Sequence, residues 1–142
     1  MPALAFVHEE DPKQIIFRNA GDLGDIEIMN NQVLIGLYTR PSELKTAGGI
    51  LITHKTTDED RYQTKVGVIL KMGPVAFDDP AEQWFGGLKF EVGDWVSFRA
   101  SDGWSVNLFS QDAKTGKKQE QLCRLMDDTA VKMRVSHPDR IY

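Results

Sequence analysis

Residues that could catalyse a reaction or bind a metal are few in this sequence and widely separated. The histidines His8, His54 and His137 are far apart along the chain, and the single cysteine, Cys123, completes no metal-ligand spacing with them. No pattern around Cys123 marks it as a nucleophile with a nearby base, so we expect a strand residue that packs against its neighbours. The sequence therefore predicts no metal site and no catalytic residues.

Two acidic pairs remain as candidates for acid–base chemistry, Asp78 with Asp79 and Asp127 with Asp128. Paired carboxylates can act as general acid and general base. Each pair here lies among turn residues, where aspartate is favoured for its local hydrogen bonds. The glycine pairs at 48–49 and 86–87 belong to no phosphate-binding motif. We therefore expect a protein that is not an enzyme and that binds no cofactor.

The bulk composition is that of one ordinary globular domain. The chain has 142 residues, a hydrophobic content of 41% and a net charge of -4, and this acidic balance argues against a nucleic-acid partner. One cysteine allows no internal disulfide. No apolar run approaches the roughly 18 residues of a membrane span, and the first residues do not resemble a signal peptide. We expect a cytoplasmic protein with no membrane association.

Short β-rich runs separated by turn residues make up most of the chain. In one of them, Val66, Val68 and Leu70 alternate with other residues and would face one way, a pattern that indicates antiparallel strands. We expect strands at residues 14–18, 32–38, 65–72, 95–99, 104–109, 120–124 and 129–135, with Trp95 and Trp104 packing the barrel or a subunit contact. No window carries a helical stripe, and residues 79–85 form a short helical turn at most. The pattern predicts an all-β fold, an antiparallel barrel or sandwich.

Two stretches, residues 39–62 and 73–90, do not have the pattern of strands. The first contains two glycines and three aliphatic residues between polar neighbours: Lys45, Thr46, Ala47, Gly48, Gly49, Ile50, Leu51, Ile52 and Thr53. Glycines let the backbone bend, and an exposed apolar triplet is costly unless it has a binding partner. The alternative is a core strand that follows a turn, because short apolar runs are ambiguous.

From residue 28 onward, the order of motifs resembles the GroES-type co-chaperonin family. The similar segments are residues 31–35 (Asn-Gln-Val-Leu-Ile), 45–52 (Lys-Thr-Ala-Gly-Gly-Ile-Leu-Ile), 68–74 (Val-Ile-Leu-Lys-Met-Gly-Pro), 90–98 (Phe-Glu-Val-Gly-Asp-Trp-Val-Ser-Phe) and 125–131 (Leu-Met-Asp-Asp-Thr-Ala-Val). The Val-Gly-Asp-x-Val element alone is common in small β-barrels. The Ala-Gly-Gly-Ile-Leu-Ile element within this order makes the resemblance specific, and the whole resemblance covers residues 28–135.

The resemblance implies a GroES-like small antiparallel β-barrel with a long mobile loop over residues 40–62. In that family the loop binds a GroEL-type chaperonin, which itself binds the ATP, and the subunits form a heptameric ring. The chaperonin-binding residues implied here are Ala47, Gly48, Gly49, Ile50, Leu51, Ile52 and Thr53. Residues 75–88 stand where the family carries a roof hairpin over the folding chamber; the alternative for them is a packed surface loop.

The chain also departs from that family pattern. Residues 1–27 precede the usual start as an N-terminal extension, in which residues 14–18 would add a strand, and residues 136–142 form a C-terminal tail. Such divergence resembles that of a virus-encoded member, for example one from a bacteriophage. An alternative function therefore stays open: a structural subunit of a viral particle, in the capsid or tail, whose loop binds a neighbouring shell protein.

Overall fold

A computed structural model describes residues 5–6, 11–38, 44–46, 49–50, 65–112 and 114–141. Its regular elements are β1 (Ala5–Phe6), α1 (Pro12–Ala20), β2 (Gln32–Leu37), β3 (Leu44–Thr46), β4 (Gly49–Ile50), β5 (Val66–Met72), β6 (Trp95–Ser97), β7 (Trp104–Gln111), β8 (Lys118–Asp127) and β9 (Met133–Val135). Two 3-10 helices, Asp128–Ala130 and Pro138–Arg140, flank β9.

The strands form two antiparallel sheets. The larger has six strands in the order β7-β8-β2-β5-β6-β9, and the smaller has three in the order β1-β3-β4. Every pairing between these strands is antiparallel. The predicted all-β antiparallel fold is therefore confirmed. The predicted strands 32–38, 65–72 and 95–99 are observed as β2, β5 and β6, each one or two residues shorter than expected. The last one, 129–135, is reduced to β9, since its first residues belong to a 3-10 helix.

The strand predicted at residues 14–18 is wrong, because these residues lie inside helix α1. The helix begins where the Asp11 carboxylate accepts a hydrogen bond from Lys13 N at 3.1 Å, with Pro12 in the first turn. It ends at Gly21, whose φ of 75° few other residues adopt and whose N–H donates to Phe17 O at 3.1 Å. The apolar run alone could not distinguish helix from strand, whereas these capping residues could.

Helix α1 is packed into the domain and does not hang from it as a tail. Ile16 and Ala20, four residues apart and so on one face of the helix, are each 4% exposed. A methyl group at Gly36 of β2 would come within 2.5 Å of Ile16 Cγ2, so the missing side chain at this position gives the helix its close approach. Ser110 Oγ on β7 donates to Asn19 O at 2.8 Å. The N-terminal extension thus contributes to the core.

Both faces of the larger sheet are buried at its central strands, β2 and β5. On β5, Val66, Val68 and Leu70 point to the face that α1 covers, which confirms the predicted alternation, while Ile69 points to the opposite face. Partly buried Phe77 and Phe90, from the connection between β5 and β6, pack on that opposite face. A sheet covered on both sides yields the continuously buried strands seen at β2 and β5.

Candidate functional site

The long inserted segment, residues 39–64, leaves and re-enters the larger sheet at one place. β2 ends at Leu37 beside the beginning of β5, with Leu37 opposite Gly67. Tyr38 N donates a hydrogen bond to Val66 O at 3.1 Å, and these two residues are 1% and 0% exposed. We call this pairing of Tyr38 with Val66 the stem. The inserted segment therefore starts from a buried, hydrogen-bonded base.

Side chains from distant parts of the chain support the stem. The Tyr38 ring packs edge-on against Trp95, with 5.8 Å between ring centroids, and its hydroxyl donates a hydrogen bond to Asp139 Oδ1. Buried Gln121 donates through Nε2 to Leu37 O at 3.1 Å. Sequence reasoning missed Tyr38, Gln121 and Asp139. The one available signal was a glutamine at an inward position of β8, which needs hydrogen-bond partners when buried.

Within the inserted segment, β3 and β4 form a short hairpin. Lys45 pairs with Ile50 and Thr46 pairs with Gly49, so two of the proposed binding residues, Gly49 and Ile50, lie in β4. This corrects the expectation that residues 39–62 contain no strand. β4 pairs with β3 and not with a strand of the larger sheet. The other proposed residues, Ala47, Gly48, Leu51, Ile52 and Thr53, lie outside the described residues.

A further strand joins this hairpin from the N-terminal extension. In β1, Ala5 pairs with Lys45 and Phe6 with Leu44 of β3. β3 is therefore the central strand of the smaller sheet, with β1 on one side and β4 on the other. No sequence pattern predicted this pairing, because a strand of two residues is too short to show a period.

The acidic residues considered for catalysis have structural roles. The Asp79 carboxylate accepts hydrogen bonds from the N–H groups of Gln83, Trp84 and Phe85 at 3.0, 3.0 and 2.9 Å, and these bonds, that from Phe85 foremost, lower its pKa. This confirms the predicted local role of Asp79. Asp128 differs, since it is 5% exposed and accepts from Phe77 N at 2.8 Å and Asn31 Nδ2 at 2.9 Å. Asp128 lies in a 3-10 turn, as predicted, but its side-chain hydrogen bonds connect distant segments, so the expectation of local bonds was wrong there.

Residues 73–90, which include the roof candidate 75–88, fold around three aromatic rings. Phe77 stacks on Phe90 with 4.4 Å between centroids, and Phe85 meets them edge-on at 5.2 and 5.8 Å. The Arg134 guanidinium lies over the Phe90 ring, 5.2 Å from its centroid. Trp84 is nevertheless 71% exposed. The segment is an ordered loop that carries an outward-facing aromatic side chain.

The rest of the described chain offers little for chemistry. Cys123 is 1% exposed on β8 as predicted, and burial raises the pKa of its thiol to about 12, which leaves it unreactive near neutral pH. Among the described residues, no group of His, Cys, Asp and Glu side chains has the proximity of a metal site. An open depression of about 340 Å³ is lined by Lys13, Asp94, Trp95 and Arg134, among others. One of its two cationic side chains, Arg134, already forms an ion pair, because Arg134 Nη1 lies 3.6 Å from Asp94 Oδ2.

In the described part of the chain, no helix has the length and hydropathy needed to cross a membrane. No curated protein matches the sequence. The family model described as the chaperonin 10 kDa subunit does match it, over residues 25–124. That range begins just after helix α1 and ends within β8, and so includes the stem and the hairpin. With most of its length matched and an antiparallel all-β fold, the chain belongs to the chaperonin-10 family of oligomeric co-chaperonins, which act together with GroEL-type chaperonins.

Proposed function

We propose that this protein caps a GroEL-type chaperonin ring, with residues Ala47, Gly48, Gly49, Ile50, Leu51, Ile52 and Thr53 as its binding element. The observation that carries the proposal is the stem. A buried base, fixed by the bond from Tyr38 N to Val66 O at 3.1 Å, holds a long insert that contains the β3–β4 hairpin. Such an arrangement presents a peptide element to another molecule while the larger sheet below it stays unchanged.

The size of the apolar element favours weak binding by each subunit. Burying three aliphatic side chains contributes about 5–9 kcal/mol before costs. Ordering each loop residue opposes this by about 1–2 kcal/mol. A single loop therefore binds weakly, and several loops on one ring supply the affinity through avidity. Weak single sites also permit release, which a lid that opens and closes in each cycle requires.

The proposed assembly is a heptameric ring in the cytoplasm, with ATP bound by the chaperonin and not by this chain. The larger sheet ends in two strands, β7 and β9, that have one strand partner each among the described residues. Edges of this kind allow neighbouring copies to join head to tail, the mode of association that closes into rings. This supports a ring without fixing the number of subunits.

Residues 75–88 are proposed as the part of the lid that faces the chamber. The aromatic cluster of Phe77, Phe85 and Phe90 orders the segment, while Trp84 at 71% and Leu88 at 53% exposure point outward. A structured loop with exposed apolar side chains suits a surface that contacts other subunits or enclosed proteins.

The test is co-sedimentation of the purified protein with a chaperonin ring, with and without ATP. We expect association that depends on the nucleotide, loss of it on Leu51→Asp, and near-normal binding of the matched variant Leu51→Met, which preserves apolar volume. Binding by Leu51→Asp equal to that of the unmodified chain would contradict the assigned binding element. A particle subunit, the alternative function, would not associate with the ring in a nucleotide-dependent way.

A further inference from the structure

The hairpin proposed to bind the chaperonin is completed by the chain's own N-terminus. β3 pairs with β4 through Lys45–Ile50 and Thr46–Gly49, and with β1 through Leu44–Phe6 and Lys45–Ala5. Without β1 this hairpin would be an isolated two-stranded unit of three and two residues. Isolated two-stranded hairpins are marginal in water, whereas a third strand gives the backbone groups of the middle strand partners on both sides.

The position of β1 is constrained by the helix that follows it. Only residues 7–10 separate Phe6 from Asp11, the N-cap of α1. That helix is fixed to the larger sheet by buried Ile16 and Ala20 and by the hydrogen bond from Ser110 Oγ to Asn19 O at 2.8 Å. A strand held by so short a link has an effective concentration near its partner of about millimolar or above.

We propose that β1 is a positioning strand for the chaperonin-binding hairpin, which it holds in its paired form before the chaperonin arrives. The inference rests on the proposed function and adds an intramolecular determinant of affinity to it. When only a fraction of molecules has the competent shape, the apparent dissociation constant rises by the inverse of that fraction. A strand that raises this fraction strengthens binding without contacting the partner.

The pairing also determines which side of the hairpin is open to a partner. In antiparallel sheets each inner strand uses its backbone groups on both sides. β3 is inner, so β1 occupies the β3 side of the hairpin, and a partner strand that adds to the hairpin itself meets the outer side of β4, formed by Gly49 and Ile50. These are two of the residues already assigned to chaperonin binding, so the pairing of β1 with β3 leaves the backbone edge that carries them open to a partner.

The experiment compares the full chain with two double variants. Adjacent positions of an antiparallel strand alternate between hydrogen-bonded and non-bonded pairs, so both must change: Ala5→Pro with Phe6→Pro removes every β1 amide N–H. The matched control, Ala5→Thr with Phe6→Thr, preserves both amides and suits a strand. Amide hydrogen exchange at residues 44–46 and 49–50 measures the hairpin, and co-sedimentation with a chaperonin ring and ATP measures binding.

We expect the proline variant to exchange at least about tenfold faster at residues 44–46 and to bind about tenfold more weakly. The threonine variant should match the unmodified chain in both, and the thermal unfolding of all three should agree, because α1 and the larger sheet are intact. Unchanged exchange in the proline variant would overturn the proposal, as would equal or tighter binding despite faster exchange. If even the unmodified chain fails to bind a chaperonin, the proposed function fails, and exchange still decides whether β1 orders the hairpin.

Discussion

The hydroxyl group of Tyr38 donates a hydrogen bond to Oδ1 of Asp139, and this bond ties the beginning of the inserted segment to the 3-10 helix Pro138–Arg140. The Asp139 side chain is 21% exposed, and the tyrosine is buried against Trp95. The C-terminal segment therefore does not extend away from the domain as a free tail. It closes over the base from which the proposed binding element emerges.

Replacing the tyrosine tests how much this bond contributes. Tyr38→Phe retains the ring and its contact with Trp95 but removes the donor to Asp139. We expect the free energy of unfolding to fall by about 1–2 kcal/mol, since a hydrogen bond to a charged acceptor is lost from a mostly buried position. Urea denaturation followed by circular dichroism would measure this change.

The matched variant for that experiment is Asp139→Asn, which retains a side-chain oxygen that can accept from Tyr38 Oη. Its loss of stability should be smaller than that of Tyr38→Phe. Equal stabilities of the unmodified chain and Tyr38→Phe would show that this bond does not hold the C-terminal segment in place.

The capping of residues 83–85 by Asp79 should depend on pH. Hydrogen bonds from the N–H groups of Phe85, Trp84 and Gln83 lower the pKa of this carboxyl below its ordinary 3.8. A lowered pKa means that the carboxylate contributes its stabilisation above the ordinary value and loses it as the pH falls through the lowered one. We expect the amide chemical shifts of residues 83–85 to move as the solution is acidified below pH 3.8.

At neutral pH, Asp79→Asn should shift the same amides, because a neutral amide oxygen accepts hydrogen bonds more weakly than a carboxylate. The neighbouring Asp78→Asn is the control and should leave them unchanged, since the three hydrogen bonds go to Asp79. If Asp79→Asn and Asp78→Asn changed these amide chemical shifts by the same amount, the capping role of Asp79 would be refuted.

The close packing of helix α1 on β2 predicts a sharp effect at Gly36. A methyl group there would approach Ile16 Cγ2 to 2.5 Å and Leu70 Cδ1 to 3.0 Å. Overpacking of a core typically costs about 1–3 kcal/mol, so Gly36→Ala should lower the free energy of unfolding by that amount. Thermal or urea unfolding would measure it.

The second variant in that series is Gly36→Ala combined with Ile16→Ala. Ile16→Ala alone costs about 2–5 kcal/mol through lost burial and a cavity. If the clash is with Ile16, the double variant should lose less free energy of unfolding than the two single variants lose in sum. Strict additivity would show that α1 does not rest on Gly36 as described.

The strands of the larger sheet could be predicted because they are short β-rich runs bounded by turn residues. Val66, Val68 and Leu70 share one face, as expected from the strand period, while Ile69 is buried on the opposite face. Helix α1 has only nine residues and an apolar run within it, so the period alone was ambiguous. Its caps, Asp11 and Gly21, were the better signal.

The residues of the candidate site could be predicted from the sequence, but the strands and side chains that support them could not. The glycines and aliphatic residues of 47–53 stand out from polar neighbours, as binding elements in loops do. The pairing of β1 with β3, and the bonds of Gln121 to Leu37 and of Asp139 to Tyr38, join positions far apart in the chain. Such partners are set by the folded topology, which local sequence patterns do not encode.

The stem also has a consequence for how this protein could change its partner. Because Tyr38 and Val66 meet through one hydrogen bond, the larger sheet requires only that the two ends of the insert come together there, whatever the length of the segment between them. Doubling the length of a flexible connection adds only about 0.6 kcal/mol to the cost of closing it. Evolution could therefore change the length and sequence of the insert, and with it the partner that the protein binds, without altering the larger sheet, as long as β3 keeps its pairing with β1.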